Sequence, residues 1–243
     1  MSDDAGHRPQ GADAFEHLTG AHQRLVRTVD GLSDDQLAEP SGLPRWTRGH
    51  VVAHLALNAE GLAGVVDGLA RQEPVPMYTS PEARDADIEE LGAADPAELR
   101  ERLLGSVGRF EDAVTALPAD RWAGVVERSP GGPTFPAHTI VGKRLNEVEI
   151  HHADLRAGYS HTDWSAEFSA TLIESMRSRA WPSPFRVMAR DLARTWDFGQ
   201  DRDGATGPNV TGDASAIGWW LTGRGDGSDL TVDQGELPEV GTW

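Results

Sequence analysis

Between Ala14 and Ala157 the apolar residues recur at steps of three and four in four separate stretches, and nothing else in the 243-residue chain constrains its fold as strongly. Phe15, Leu18, Leu25, Val26 and Val29 make one stripe, which predicts a helix over Ala14–Leu32. Ser33-Asp34-Asp35-Gln36 has capping-box form and starts a short turn. Val51, Leu55, Leu62, Val65 and Leu69 make a second stripe, opened by Thr47 as a cap and closed by Pro74 and Pro76. Asp95-Pro96-Ala97-Glu98 is a helix start, and Leu99, Leu103, Val107, Phe110 and Val114 follow it down one face as far as Pro118. After the Pro/Gly-rich run Ser129–Pro136, a fourth helix is predicted from about Thr139 to Ala157, with Gly158 as its C-terminal cap. The stretch Met77–Ala83 between the second and third long helices reads as a loop. Each stripe must bury its apolar side against the others, and four of them make a helical bundle.

Beyond about residue 160 the period changes. A helix is expected over Ser165–Trp181, ending at Pro182 and Pro184. Phe185–Arg190 and Leu192–Phe198 then alternate apolar and polar residues in the manner of half-buried strands, and Asn209–Thr211 and Leu230–Val232 could be short strands. Between those two, Asp213 can cap a helix through Ile217, Trp219, Trp220 and Leu221 that ends at Gly223. The Trp219-Trp220 pair is read as core. Helices mixed with antiparallel-looking strands predict an α+β protein, with a four-helix domain over residues 1–160 and a small α/β domain over residues 161–243.

Charge and composition narrow the function. Twenty-two basic against 39 acidic residues give a net charge of −17, and Lys143 is the one lysine. Such a surface repels polyanions, so neither nucleic acid nor an anionic membrane is an expected partner. There is no cysteine, which removes disulfides, thiolate metal sites and a cysteine nucleophile from consideration. Met1 to Ala12 is polar without an apolar leader segment, and no window reaches the roughly 18 apolar residues of a spanning helix. A cytoplasmic monomer is the expectation.

The candidate chemistry lies in histidines and carboxylates at helical spacing. His50 and His54 are four apart on the second long helix. Glu147 and His151 are four apart on the fourth, with Asp154 three further on. One ligand from one helix and two from the other make a three-ligand site inside a bundle, with an open position of the catalytic type. His54 lies nearer the apolar stripe than His50, so His54, Glu147 and His151 are the candidate metal ligands, and Asp154 is the acceptor for an imidazole N–H. The alternative on the same residues is a packed core histidine and a solvated glutamate. Arg84 in its loop-like run, and Arg224 in Thr222-Gly223-Arg224-Gly225-Asp226-Gly227, are candidates for holding a carboxylate bidentately, against the alternative of ordinary surface arginines.

Four segments carry a resemblance. Gly49-His50-Val51-Val52-Ala53-His54 through Asn58, Pro76–Arg84 (PMYTSPEAR), Arg144–His151 (RLNEVEIH) and Thr222-Gly223-Arg224-Gly225 resemble, in order and spacing, the mycothiol-dependent maleylpyruvate isomerases. The likeness spans about residues 12 to 240. It implies a DinB-like N-terminal four-helix bundle with a small α/β C-terminal domain, zinc or another divalent metal on His54, Glu147 and His151, and catalytic roles for Arg224 and Arg84. His50 has no ligand counterpart in that family. The implied partners are mycothiol, a low-molecular-weight thiol, and a small dicarboxylate substrate.

The implied reaction converts maleylpyruvate to fumarylpyruvate in gentisate-type aromatic catabolism. Rotation about a C=C bond requires a nucleophile to add first, and a chain without cysteine must take its thiolate from outside. The expectation is that this sulfur occupies the open metal position. The alternatives are a zinc-dependent thiol S-transferase on the same scaffold, a non-catalytic metal-binding module, and a hydrolase using metal-bound water.

Overall fold

The computed structural model describes residues 10–199 and 207–241. Up to residue 9, the N-terminal stretch read above as free of a leader lies outside them. The chain divides into two compact units, Met1–Gly158 and Tyr159–Trp243.

Among the described residues the first unit holds four long α-helices and two short ones. They are α1 (Gln10–Asp30), α2 (Asp34–Ala38), α3 (Arg48–Arg71), α4 (Pro81–Gly92), α5 (Pro96–Ala116) and α6 (Ile140–Asp154). α3 is central and packs against α4, α5 and α6, while α1 packs against α6 and α5. That position explains why α3 buries residues all round its axis: Val51, Val52, Leu55, Leu62 and Val66 are at most 2% exposed. Three of the predicted N-terminal caps form, while Asp213 makes no side-chain cap on the later helix from Ala214, whose first N–H is taken by Asp191 Oδ1 at 2.9 Å. Ser33 closes a capping box with Gln36, and Asp95 accepts from the backbone N–H of Ala97 at 2.8 Å. At the start of α3, Thr47 Oγ1 accepts from the His50 backbone N–H at 3.3 Å while His50 Nδ1 accepts from the Thr47 N–H at 3.2 Å. That reciprocal cap satisfies donors which the helix itself leaves open.

Three sequence expectations change here. Met77–Ala83 is not wholly loop, because α4 begins at Pro81, capped by Ser80 and with proline in its first turn. Its periodicity is weak because Ile88 and Leu91 are its only buried residues, although the Ser-Pro-Glu start is a readable signal. The Ser129–Pro136 run is not wholly loop: its last three residues form β2 (Thr134–Pro136), antiparallel to β1 (Val125–Glu127), and the rest belongs to the turn between them. The end of α6 comes early, at Asp154, where Arg156 turns into the left-handed region with φ 50° ahead of Gly158 at φ 82°.

The second unit contains α7 (Ala166–Met176), α8 (Ala214–Leu221) and a sheet of β3 (Phe185–Ala189), β4 (Arg194–Phe198), β5 (Asn209–Gly212) and β6 (Thr231–Val232) in the order β4-β3-β5-β6. α7 stops five residues before Trp181, whose indole N–H donates to the Met176 carbonyl at 3.1 Å. The sheet is mixed: β3 pairs antiparallel with β4 and parallel with β5. The parallel pair is the one that alternation along a single strand cannot reveal, since pleat period is the same in both arrangements. α8 packs on α7, β3 and β5 and puts Ile217 and Trp220 into the core. Trp219 departs from the core reading, being half-buried and stacked on His161 with ring centroids 5.4 Å apart. Among the described residues no helix is long and apolar enough to cross a membrane.

Candidate metal centre

Two adjacent helices build the site. α3 contributes His54 and, one turn on, Asn58; α6 contributes Arg144, Glu147, His151 and Asp154, whose spacing of three, four and three keeps all of them on one side of the helix. His54 Nε2 lies 2.9 Å from Glu147 Oε2, and His151 Nε2 lies 3.4 Å from the same oxygen. The two imidazoles meet edge to face with centroids 4.7 Å apart. His54, Glu147 and His151 thus bring one ligand atom each within 4.8 Å of one another. His54 and His151 are buried, whereas the Glu147 side chain keeps 25% of its exposure.

Hydrogen bonds orient each member. His151 Nδ1 donates to Asp154 Oδ2 at 2.9 Å, and Asp154 is 1% exposed, so the ring is fixed with Nε2 turned to the cluster. On His54, Nδ1 lies 3.2 Å from Arg84 Nη2. A guanidinium only donates, so Nδ1 accepts and the His54 proton sits on Nε2, pointing at Glu147. A proton between that nitrogen and that carboxylate stands where a cation would stand.

The electrostatics agree with a cation site. Burial, together with the neighbouring His151 and Arg84, pushes the His54 imidazole down to about 4 despite the opposing pull of Glu147. Burial raises Glu147, yet its bonds to His151 and His54 outweigh that and hold it well below the usual carboxylate range. His151 is raised, because Asp154 and Glu147 outweigh its burial. Two imidazoles and a carboxylate with a second carboxylate behind one imidazole fit a divalent metal of the zinc type in number, kind and support. His50 is not in the cluster: its Nδ1 serves the α3 cap, and its Nε2 lies 3.3 Å from Glu89 Oε2.

Behind the cluster lies a polar network that sequence reasoning missed. Arg144 is fully buried and donates from Nη1 to the Leu55 carbonyl at 2.9 Å and Asn58 Oδ1 at 2.8 Å, and from Nε to His22 Nε2 at 3.2 Å. His22 Nδ1 in turn donates to Glu111 Oε1 at 2.9 Å. Burial lowers Arg144 to about 10, against the opposing charges of Glu147, Tyr78 and Glu111. Tyr78 belongs to the same network, with Arg84 lying 5.7 Å over its ring. One signal was available: Arg144 stands three residues before Glu147, in register with the ligand face.

Arg224 lies in the second unit, past the end of α8. Its guanidinium lies 5.8 Å over the Trp219 ring, and Nη1 donates to the Thr222 carbonyl at 3.3 Å. The flanking Gly223 and Gly225 have φ of 75° and 69°. A side chain at Gly225 would also meet Trp219 at 3.0 Å, so glycine is required there twice over. The structure therefore brings Arg84 together with the three candidate ligands and puts Arg224 on the other unit.

A helical bundle that turns two imidazoles and a carboxylate onto one point defines the class, a DinB-like bundle with a metal-type donor set. Residues 18–156 match the model of the mycothiol maleylpyruvate isomerase N-terminal domain, so the chain belongs to the mycothiol-dependent maleylpyruvate isomerase family. Crystal structures of the mycothiol-dependent maleylpyruvate isomerase and of a histidine-to-alanine mutant of it each superpose with a TM-score of 0.87 and 26% identity, covering 98% of both chains. YfiT from Bacillus subtilis, a probable metal-dependent hydrolase with an unusual four-helix bundle topology, shares the fold at a TM-score of 0.52 and 18% identity, over 66% of this chain and 94% of its own. No curated protein matches the sequence significantly.

Proposed function

We propose that the protein catalyses the mycothiol-dependent isomerisation of maleylpyruvate to fumarylpyruvate, a step of gentisate-type aromatic degradation. In this reading His54, Glu147 and His151 hold a divalent metal, zinc by the kind of donors present, and Arg224 and Arg84 serve the substrate. The observation that carries it is the His/Glu/His cluster, backed by Asp154, in a chain of this family that has no cysteine of its own.

The metal, when bound, supplies Lewis-acid stabilisation that brings a thiol's pKa toward neutrality. The thiol supplies the nucleophile that makes the substrate's C=C bond single, and therefore free to rotate, before being released unchanged. The chain's own residues do the rest. Glu147, held anionic, presents a carboxylate oxygen to a cation near neutral pH, and His54, held neutral, would present Nε2 once a metal has displaced the proton which that nitrogen directs at Glu147, its ring hydrogen then sitting on Nδ1. Asp154 keeps the His151 ring from turning. Arg84 places a fixed positive charge beside the cluster, where a dianion needs it against a background of −17. Arg224, stiffened between two left-handed glycines and laid on Trp219, presents a fork suited to a carboxylate. We place the chain in the cytoplasm, where a small thiol stays reduced.

The rival reaction on the same donor set is thiol S-transfer, and counting thiols separates the two. An isomerase leaves free mycothiol undiminished after many turnovers of maleylpyruvate, whereas a transferase consumes one thiol per product. Arg224→Ala is expected to retain its metal and lose turnover. Full activity in that variant removes the role given to Arg224, and loss of free thiol in step with product moves the assignment to the transferase.

A further inference from the structure

The ends of α1 and α6 and the start of α3 enclose an open cleft of about 450 Å³, with Arg27, Thr28, Gln36, Arg48 and Arg156 on its walls. None of its lining residues is a candidate metal ligand. Arg48 is spent on the protein itself. Its Nε donates to the Leu155 carbonyl at 2.7 Å, Nη1 to the Gln36 carbonyl at 3.1 Å, and Nη2 to the Arg156 carbonyl at 3.2 Å. Glu39 also meets Nη1 and answers the charge. The carbonyls just past α6, which would repel an anion, are thereby occupied.

Arg27 and Arg156 are placed differently. Most described arginines pair with a carboxylate, as Arg24, Arg100, Arg102 and Arg186 do with Glu149, Asp34, Glu60 and Asp197. Partners are plentiful in a chain with 39 acidic and 22 basic residues. Yet among the described residues no carboxylate lies within 4.0 Å of Arg27 or Arg156, and these two share the cleft. Arg156 also keeps its position against backbone preference. It stands just past α6 with φ 50°, a left-handed place where glycine is usual and arginine is strained. Its side chain lies against Gly42, where an added Cβ would come within 3.3 Å of Arg156 Nε. Further donors are at hand. Gln36 Oε1 accepts from the Ser33 N–H at 2.8 Å, which leaves the amide its NH₂ to give.

We propose that this cleft is a binding site for a phosphate group, free or carried by a small ester, with Arg27 and Arg156 as its charged forks and Gln36 as a further donor. The two arginines come from different elements, α1 and the segment after α6. One carboxylate is satisfied by a single fork, whereas a phosphate offers three strong acceptor oxygens and can meet both. A water in the liquid takes about 30 Å³, so the cleft has room for a phosphate and the organic group of an ester. The site depends neither on the metal nor on the isomerase reading.

The test follows backbone amide ¹⁵N shifts of the metal-loaded protein at constant ionic strength. The probes are inorganic phosphate, glycerol phosphate and acetate. Inorganic phosphate is expected to move the Gly31 and Gly158 resonances, both in the cleft, along a saturable curve, with acetate far weaker. Arg27→Gln and Arg156→Gly are each expected to lose about 10-fold or more in phosphate affinity. Arg156→Gly relieves the left-handed strain, so its urea midpoint is expected to hold or rise, and the lost binding is then not lost folding. Glycerol phosphate binding as tightly as inorganic phosphate supports the site and makes its ligand an ester; exclusion of glycerol phosphate alone supports it with free phosphate as the ligand. No saturable shift in the cleft, shifts confined to the metal cluster, acetate binding equal to phosphate, or affinity unchanged in both variants overturns the proposal.

Discussion

Replacing His22 by glutamine removes a titration from the core of the bundle while keeping both of its hydrogen bonds. In the folded chain His22 is 1% exposed, accepts from Arg144 Nε at 3.2 Å and donates to Glu111 Oε1 at 2.9 Å. A glutamine carboxamide can do the same, with its oxygen toward Arg144 and its NH₂ toward Glu111. Burial, and then the charge of Arg144, lowers His22 from 6.5 to about 2. The sign follows from proton uptake. Below about pH 6.5 the unfolded chain binds a proton that the folded chain refuses, so stability falls as pH falls, and keeps falling until about pH 2. The slope is about 1.4 kcal/mol per pH unit, so acidification from about pH 7 to about pH 5 costs the native state about 2 kcal/mol through this one side chain. Urea unfolding of wild type and His22→Gln at the two pH values measures it. The wild type is expected to lose about 2 kcal/mol more than the variant, with equal urea slopes. Equal losses would refute the reasoning, because they would mean that His22 takes up its proton in the folded state despite facing a guanidinium.

Other perturbations separate the parts of the site. Asp154→Asn weakens the hold on the His151 ring and is expected to lower zinc affinity about 10- to 100-fold, read by competition with a chelating dye; unchanged affinity would exclude the orienting role. His50→Ala is expected to leave metal content unaltered and to cost about 1 kcal/mol of stability by removing half of the α3 cap; loss of the metal would return His50 to the ligand set. Arg144→Met leaves Asn58 Oδ1 and the Leu55 carbonyl without their buried donor, and a loss of about 3 kcal/mol in urea unfolding is expected. A neutral result there would mean that water replaces the guanidinium at no cost.

The bundle was legible because its long helices each satisfy a local rule: the stripes of α1, α3 and α5, and the caps Thr47 and Asp95, are read within a few residues of one another. The candidate cluster was legible in part for the same reason, since Glu147, His151 and Asp154 share one helix face. Helix α4 was missed because it buries little and so has little periodicity, and β1 and β2 were missed because three residues are too few to alternate. The network behind the cluster was invisible for a different reason. Arg144 meets His22 across 122 residues and Asn58 across 86. No spacing rule joins side chains that only tertiary packing brings together, although the place of Arg144 three residues before Glu147 put it on the ligand face.

The central claim is that this chain borrows its nucleophile from a small thiol and uses it catalytically. Its most direct test follows maleylpyruvate absorbance with zinc-loaded protein, with and without a small fraction of an equivalent of mycothiol. The expected result is conversion to fumarylpyruvate only when the thiol is present, over many turnovers per thiol. Conversion that proceeds at full rate without thiol, or no conversion with zinc and mycothiol both present, would contradict it.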